Sequence, residues 1–198
     1  VLGFCYGQQI MAVTLGGEPV LSGPIEAGAT LTVTAVVGTA QKTYAFAAPA
    51  VSYGKTAPAS STETGAGGDN VADYVLDYDP STRWAASSAS MPQYVTIDLG
   101  GVYMIDGADL YFYDAGGRYY AFSVYAGTET NALALVADRS ANTTSGRVEV
   151  TFGAVAARYV RISVSGSSQG FASICEARVF GWALAPEEGC AVSYETGY

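Results

Sequence analysis

The chain contains no histidine and few positive charges. Without histidine it lacks the residues for Ser-His-Asp or Cys-His catalysis, for a His-ligated zinc site and for a haem with a proximal histidine. Nine Lys and Arg stand against 18 Asp and Glu, which gives a net charge of −9. Because nucleic-acid binding and polybasic membrane anchoring both need clustered cations, the charge argues against either role.

Long apolar runs are also missing. No apolar stretch reaches the roughly 18 residues that a membrane-spanning helix requires, so we expect no membrane insertion. The sequence shows neither an initiator methionine nor a recognisable signal peptide. We interpret it as a mature form, or as a fragment whose leader was removed, and we expect an extracellular or surface-exposed protein.

Glycine and aromatic residues are plentiful. The 198 residues include 24 Gly, 15 Tyr, 7 Phe and 2 Trp, and 49% of them are hydrophobic against 14% charged. This composition argues against disorder, because the chain has enough apolar surface to form a core. Lysine, a good helix former, occurs only at Lys42 and Lys55. The composition predicts an all-β protein with many turns.

The first 54 residues hold only a few strand patterns. Apolar and polar residues alternate from Thr30 to Val37 with the period of a half-buried strand. Gln9–Leu15 and Lys42–Phe46 are further candidates. About four strands are too few for a complete sandwich. We therefore predict that region 1–54 is a small β subdomain, or a set of strands completed by a partner.

The rest of the chain divides into three segments. Residues 55–68 are dominated by Pro, Ser, Thr, Ala and Gly, and this composition predicts a linker or long loop. Residues 183–198 carry three Glu and no cation, so we expect an acidic C-terminal arm. Residues 69–182 hold most of the alternating pattern. The inward positions of six predicted strands are Val95, Ile97 and Leu99; Ala108, Leu110 and Phe112; Phe122, Val124 and Ala126; Val148, Val150 and Phe152; Val160, Ile162 and Val164; and Cys175, Ala177 and Val179.

These short strands predict an antiparallel β-sandwich, although their periodicity does not separate a jelly roll from an immunoglobulin-like arrangement. The same alternation points Cys175 inward, so we expect this thiol to be buried. The other two cysteines, Cys5 and Cys190, lie near the ends of the chain. Three cysteines allow one disulfide with one free thiol, or an intermolecular bond, and the sequence leaves the pairing open.

Four stretches of region 69–182 resemble one family. They are DYDPSTRW from Asp77 to Trp84, YVTIDLGGVYMIDG from Tyr94 to Gly107, ARYVRISV from Ala157 to Val164, and FASICEARVFG from Phe171 to Gly181. Their order and wording are similar to the discoidin, or coagulation-factor C-type, domains and to related carbohydrate-binding modules. The resemblance implies a galactose-binding-like antiparallel jelly roll. It also implies a binding module without chemistry of its own, which grips its ligand, commonly a sugar, through loops at one end.

An acidic segment in this region suggests a cation. Four carboxylates fall within residues 69–79, and their negative charges repel one another unless they are solvated or neutralised by a cation. Calcium favours oxygen ligands of this kind. The resemblance implies a structural calcium, with the ligands Asp77, Asp79, Thr82 and Glu176. One departure is Tyr78, where the family often has Gly. The alternative is a solvated acidic loop in which Glu176 pairs with an arginine.

Two loops are candidates for ligand binding. Phe171 follows a Gly/Ser-rich stretch, and an exposed aromatic ring there would offer a flat face to a sugar, as an aromatic does in related modules; the alternative is a core position. In the loop YDAGGRYY, a carboxylate and a guanidinium group match the hydroxyls of a sugar, and an ordinary hairpin turn is the alternative. The candidate residues of this loop are Asp114, Arg118 and Tyr119.

Other conspicuous residues have structural interpretations. The resemblance implies a core position for Trp84. Arg158 and Arg161 are expected to pair with Asp98 or Glu149 rather than with a ligand. No pair of carboxylates stands out as the two that a glycosidase needs across a cleft.

We therefore expect a noncatalytic, extracellular glycan-binding module with a structural calcium. Its partner would be a glycan or glycoconjugate, and not a nucleic acid. The alternative is a structural or adhesive subunit of a surface filament, phage tail or other assembly, in which copies of the chain or neighbouring subunits associate by strand addition.

Overall fold

The structure is a computed structural model that describes residues 2–3, 12–13, 30–37, 40–47, 50–65 and 68–183. These residues belong to two compact units, one formed by 1–49 with 182–198 and the other by 50–181. Cys5, Cys190 and residues 184–198 of the predicted acidic arm lie outside the described residues. In the described part, no helix is long and apolar enough to cross a membrane.

The described residues of the first unit form two pairs of antiparallel strands. β1 (Leu2–Gly3) pairs with β2 (Ala12–Val13), and β3 (Thr30–Val37) pairs with β4 (Ala40–Ala47). The strand predicted from Thr30 to Val37 is confirmed, and its first and last residues are those of β3. The other two predicted strands of this region overlap β2 and β4.

The second unit is a six-stranded sheet in the order β5–β10–β6–β9–β7–β8. Its strands are β5 (Trp84–Ala85), β6 (Gln93–Phe112), β7 (Tyr120–Gly127), β8 (Ala134–Arg139), β9 (Arg147–Ser167) and β10 (Ser173–Ala183). Short 3₁₀ turns occupy Ala72–Leu76 and Ala115–Gly117. The prediction of an all-β, antiparallel, jelly-roll-like sandwich is confirmed.

The two longest strands, β6 and β9, fold the sheet over on itself. Their pairing shifts register between Asp98 and Tyr103, and again between Ile105 and Gly107. Before the first shift, β6 pairs with the part of β9 that also pairs with β7, whereas after the second it pairs with the start of β9. The sequence predicted two separate strands in each case, because the alternation of apolar residues is interrupted at the bend.

The core lies between the folded halves of the sheet. Its largest fully buried side chains include Trp84, Tyr120, Phe122, Ile97, Leu110 and Ile162. The core position implied for Trp84 is confirmed, and its Nε1–H donates to the Ser61 carbonyl at 2.9 Å. Cys175 is buried, as its strand parity predicted, and burial raises the pKa of its thiol to about 11.

The segment with a linker-like composition is part of this sandwich. Thr56 and Ala59 form isolated bridges with Asp98 and Val95 of β6, and Ala57 is buried. The structure therefore places the start of region 55–68 beside β6 rather than between two units. The composition of region 55–68 does not indicate this pairing with β6, because backbone hydrogen bonds between strands do not require large apolar side chains.

Candidate functional site

Three loops meet at one end of the sandwich. The Tyr119 N–H donates to Ser168 Oγ, and the Ser168 N–H donates to the Tyr119 carbonyl, both at 3.0 Å. Tyr119 also forms a β-bridge with Ser145. These contacts bring the loop that precedes β7 against the loops that precede β9 and β10. They create a composite surface at the place where the family resemblance implies a binding site.

The structure brings part of the predicted ligand set together on this surface. Phe171 is 39% exposed, so it is not a core residue, and Tyr119 is 37% exposed. The Arg118 guanidinium lies beside the loop of Phe171, because a Cβ placed on Gly170 would be 3.7 Å from its Nη2. Asp114 is exposed as well and faces the loop before β9. The ligand-binding roles of these residues remain predictions.

A cluster of one tyrosine and two arginines forms the base of this surface. The Cζ atoms of Arg83 and Arg118 lie 4.6 Å and 5.3 Å from the centre of the Tyr113 ring, within cation–π range. Neither Arg83 nor Tyr113 belongs to the ligand set predicted from the sequence. The sequence does hold a signal for a surface role of Tyr113. The alternation along β6 places Tyr113 at an outward position, directly after the strand and next to the loop. Arg83 reaches the cluster from a distant segment, which no local pattern indicates.

Hydrogen bonds hold the two arginines in place. Arg83 Nη1 donates to Ser173 Oγ at 3.0 Å, and its Nη2 lies 3.4 Å from Glu63 Oε2. Arg118 Nη1 contacts the hydroxyl of Tyr120 at 3.5 Å. Burial raises the pKa of that phenol, and the Arg118 charge opposes the rise. The guanidinium groups are therefore positioned before any ligand arrives.

The acidic loop forms a second candidate site, which we call the Asp77 loop (residues 77–82). Asp77 accepts hydrogen bonds from the Asp79 N–H at 2.9 Å and from Thr82 Oγ1 at 2.8 Å. Asp79 accepts from Ser81 through both the N–H and the hydroxyl, and these bonds lower the pKa of its carboxyl. Tyr78 has a φ of 64°, so the residue that stands where the family often has Gly adopts a left-handed backbone conformation that favours glycine.

Glu176 reaches this loop from β10 and lacks hydrogen-bond partners. It is fully buried, and neither carboxylate oxygen accepts a hydrogen bond from the described residues. Arg178 Nε lies 3.7 Å away and is itself buried without a partner. Burial raises the pKa of Glu176 to about 7; the neighbouring Asp77 carboxylate adds to the rise, and the positive charge of Arg178 opposes it. Arg178 therefore lies within ion-pair distance of Glu176, as the alternative prediction proposed, but the two side chains share no hydrogen bond.

An unsatisfied buried carboxylate beside a second one fits a hard cation such as calcium. The fit involves two carboxylates, because within 50–65 and 68–183 no three Cys, Asp or Glu side chains come together to hold a metal. Asp73 serves another purpose, since it accepts a hydrogen bond from the Ala57 N–H at 2.8 Å. Thr82 adjoins the pair through its bond to Asp77, and Asp79 directs one carboxylate oxygen to Ser81.

Two further arginines lie on strand β9. Arg158 forms a two-point ion pair with Asp98, with distances of 2.8 Å and 2.9 Å, which confirms the predicted pairing. The same prediction is wrong for Arg161, whose Nε donates to Thr96 Oγ1 at 2.9 Å while its guanidinium lies over the Tyr94 ring. A threonine and an aromatic ring satisfy Arg161 because both face it from the neighbouring strand.

The second unit is thus a folded, all-β, jelly-roll-like sheet in which three loops converge at one end. The family model for the F5/8 type C domain matches residues 56–177. The chain belongs to this family. No curated protein sequence matches the chain.

Solved structures extend this relationship. Chitosan-binding module 1 from the chitosanase/glucanase of Paenibacillus sp. IK-5 is 26% identical, with a TM-score of 0.60, and the match covers 67% of this chain and 98% of that one. Module 2 of that enzyme, in complex with chitotriose, is 25% identical, with a TM-score of 0.58 and coverage of 65% and 98%.

A third similar structure is the carbohydrate-binding module (CBM32) of AlyQ, in complex with 4,5-unsaturated mannuronic acid. It is 29% identical, with a TM-score of 0.56, and the match covers 65% of this chain and 96% of that one. These comparisons do not favour the alternative of a structural or adhesive subunit.

Proposed function

We propose that this chain is a noncatalytic carbohydrate-binding module whose ligand lies on the surface formed by the three loops. One observation carries the proposal: the guanidinium group of Arg118, whose donors are largely unused, lies beside Gly170, and the next residue is the exposed Phe171. The similar modules described above were crystallised with sugars or are named for a polysaccharide, which supports a carbohydrate as the ligand class.

The chemistry of these side chains suits a sugar. A pyranose presents an apolar C–H face that packs on a flat ring such as Phe171, while its hydroxyls need directed donors and acceptors. Arg118 supplies donors in a planar fork, and Asp114 supplies acceptors on the same loop. Tyr119 offers a second exposed ring. None of these contacts makes or breaks a covalent bond in the ligand.

We also propose that the Asp77 loop holds a structural calcium ion. Asp77, Thr82 and Glu176 would hold it, together with backbone carbonyl groups, whereas Asp79, which accepts hydrogen bonds from Ser81, would lie outside the ligand set. The ion would supply positive charge to a buried carboxylate that the described residues leave without hydrogen bonds. This role is one of stabilisation, because the loop packs against β10 rather than contributing a ligand to the sugar.

We propose that the protein acts outside the cell. A module that grips glycans with a preformed surface is useful where polysaccharides or glycoconjugates are exposed. Antibody labelling of intact source cells and of their medium tests this proposal, and signal confined to disrupted cells would contradict it.

A glycan array followed by calorimetry tests the proposed function. We expect the native chain to bind at least one glycan, and Phe171→Ala and Arg118→Ala to weaken that binding by about tenfold or more, as truncated interface anchors do. Leu135→Ala is the control, because Leu135 is 54% exposed on the edge strand β8 and contacts neither candidate site. Unchanged affinity in both loop variants would refute the site, and no binding to any glycan would refute the function.

A further inference from the structure

We propose that the ligand is an acidic glycan, whose anionic group, a carboxylate or a sulfate ester, binds to Arg118. The proposal rests on the proposed function and adds the chemical class of the sugar. It concerns a single guanidinium group and its surroundings, so it can fail while the module still binds other glycans.

The two arginines over Tyr113 differ in their counter-charges. Arg83 has a carboxylate partner, Glu63, which in turn accepts a hydrogen bond from Asn70 Nδ2 at 2.6 Å. Among the described residues, no carboxylate lies within 4.0 Å of Arg118. The Glu63 carboxylate is thus paired within the protein, whereas Arg118 has no negatively charged partner among the described residues.

The donors of Arg118 are available as well as its charge. A guanidinium group carries five N–H donors, and among the described residues only Nη1 of Arg118 has a hydrogen-bond partner. Its Nε is buried, so the open side of the fork is the one that carries the Nη atoms, beside Gly170 and the exposed Phe171. A planar anion that meets this edge forms charge-assisted hydrogen bonds, which are about twice as strong as neutral ones.

The negative groups nearby limit this preference without cancelling it. Asp114 belongs to the same loop, but its Oδ2 lies toward Gly146, 3.0 Å from where a Cβ would be placed. Both Asp114 and the net charge of −9 repel an anion. At physiological salt such repulsion is screened beyond about 8 Å. A direct contact between the anionic group and Arg118 is screened much less. We therefore expect the attraction by Arg118 to exceed the repulsion and to favour an acidic ligand.

The same arrangement disfavours a basic amino sugar. An ammonium group placed at the open edge of Arg118 would meet its positive charge, with Arg83 on the same Tyr113 ring, and like charges in contact cost binding energy. Glu63 is the acid that would offset this cost, but its carboxylate already serves Asn70 and Arg83. We therefore expect chitotriose to bind more weakly than an acidic trisaccharide.

Calorimetry on the full chain at physiological salt tests the proposal with four ligands: a mannuronic-acid trisaccharide, its neutral counterpart mannotriose, a sulfated trisaccharide and chitotriose. We expect an acidic ligand to bind about tenfold or more tightly than mannotriose, as one charge-assisted hydrogen bond predicts. The uronate and sulfate arms distinguish the two sources of negative charge. Rising salt should reduce the difference.

Variants then assign the preference to Arg118. Arg118→Gln should abolish it, Arg118→Lys should keep part of it, and Asp114→Asn should increase it. Arg161→Gln is the matched control, because Arg161 also has no carboxylate within 4.0 Å but lies away from the loops. Circular dichroism of each variant checks the fold.

The outcomes separate the two proposals. Neutral and acidic ligands that bind equally well, or a preference that persists in Arg118→Gln, overturn this inference and leave the glycan-binding function standing. Failure of every glycan to bind the native chain removes the function itself.

Discussion

Replacing Glu176 with glutamine tests the most unusual feature of the Asp77 loop. The side chain is fully buried, and its pKa is raised from 4.5 to about 7, chiefly by burial and next by the Asp77 carboxylate. At roughly 1.4 kcal/mol per pKa unit, ionising Glu176 in the folded chain costs about 3 kcal/mol relative to the unfolded chain. Glutamine has nearly the same shape and carries no charge, so it avoids this cost.

The sign of the pH dependence follows from the raised pKa. Below pH 4.5 Glu176 is protonated in both the folded and the unfolded state, and its contribution to stability is fully present. As pH rises to about 7, the unfolded chain loses the proton first, and this contribution is lost. Without calcium, Glu176→Gln should therefore match the native chain at acid pH and exceed its free energy of unfolding by about 3 kcal/mol at pH 8.

Urea unfolding in a calcium chelator, followed by tryptophan fluorescence, measures this difference at each pH. A difference between the two chains that stays constant across this range would refute the argument from burial. Adding calcium gives the second half of the test. The native chain should gain stability at pH 8 by linkage, whereas Glu176→Gln should gain much less. Equal gains would remove Glu176 from the proposed calcium ligands.

Two further predictions concern the sandwich itself. Gly181→Ala should destabilise it by about 1–3 kcal/mol or more, because a Cβ there would lie 2.2 Å from the Met104 carbonyl oxygen; Gly153→Ala, with nothing within 4 Å, should be nearly neutral, and equal unfolding midpoints would contradict this reasoning. Arg158→Ala should lower the free energy of unfolding only slightly at pH 7, since the pair is partly exposed to solvent. Because Arg158 lowers the pKa of Asp98, that contribution is present at neutral pH and disappears as pH falls through the acid range, so unfolding curves of the two chains should converge in acid.

Local pattern predicted the strands of the second unit well where one face is buried. The alternation around Val95, Val124 and Cys175 assigns inward positions correctly, because the side-chain period of a strand is two. It missed β8, where only Ala137 is buried and the alternation fades. It also divided β6 in two, since the register shifts after Asp98 interrupt the period.

The candidate sites divide in a similar way. The sequence predicted ligand roles for Phe171 and Arg118 because each stands in a loop with a distinctive composition, and these roles remain predictions. The contribution of Tyr113 with Arg83 was missed, because Arg83 comes from the segment that precedes β5 and reaches Tyr113 only after β5 pairs with β10. Glu176 was inferred from a family resemblance, and its burial without hydrogen-bond partners became visible only in the folded chain.

The sequence by itself determined the class of fold, the inward side chains and the family, since these depend on residue types and spacings along the chain. Only the tertiary structure decided which loops meet, which arginine has a counter-charge and which carboxylate is buried. Those properties depend on distances between segments far apart in the chain. The bends in β6 and β9 and the order of strands in the sheet set these distances, and no local pattern encodes them.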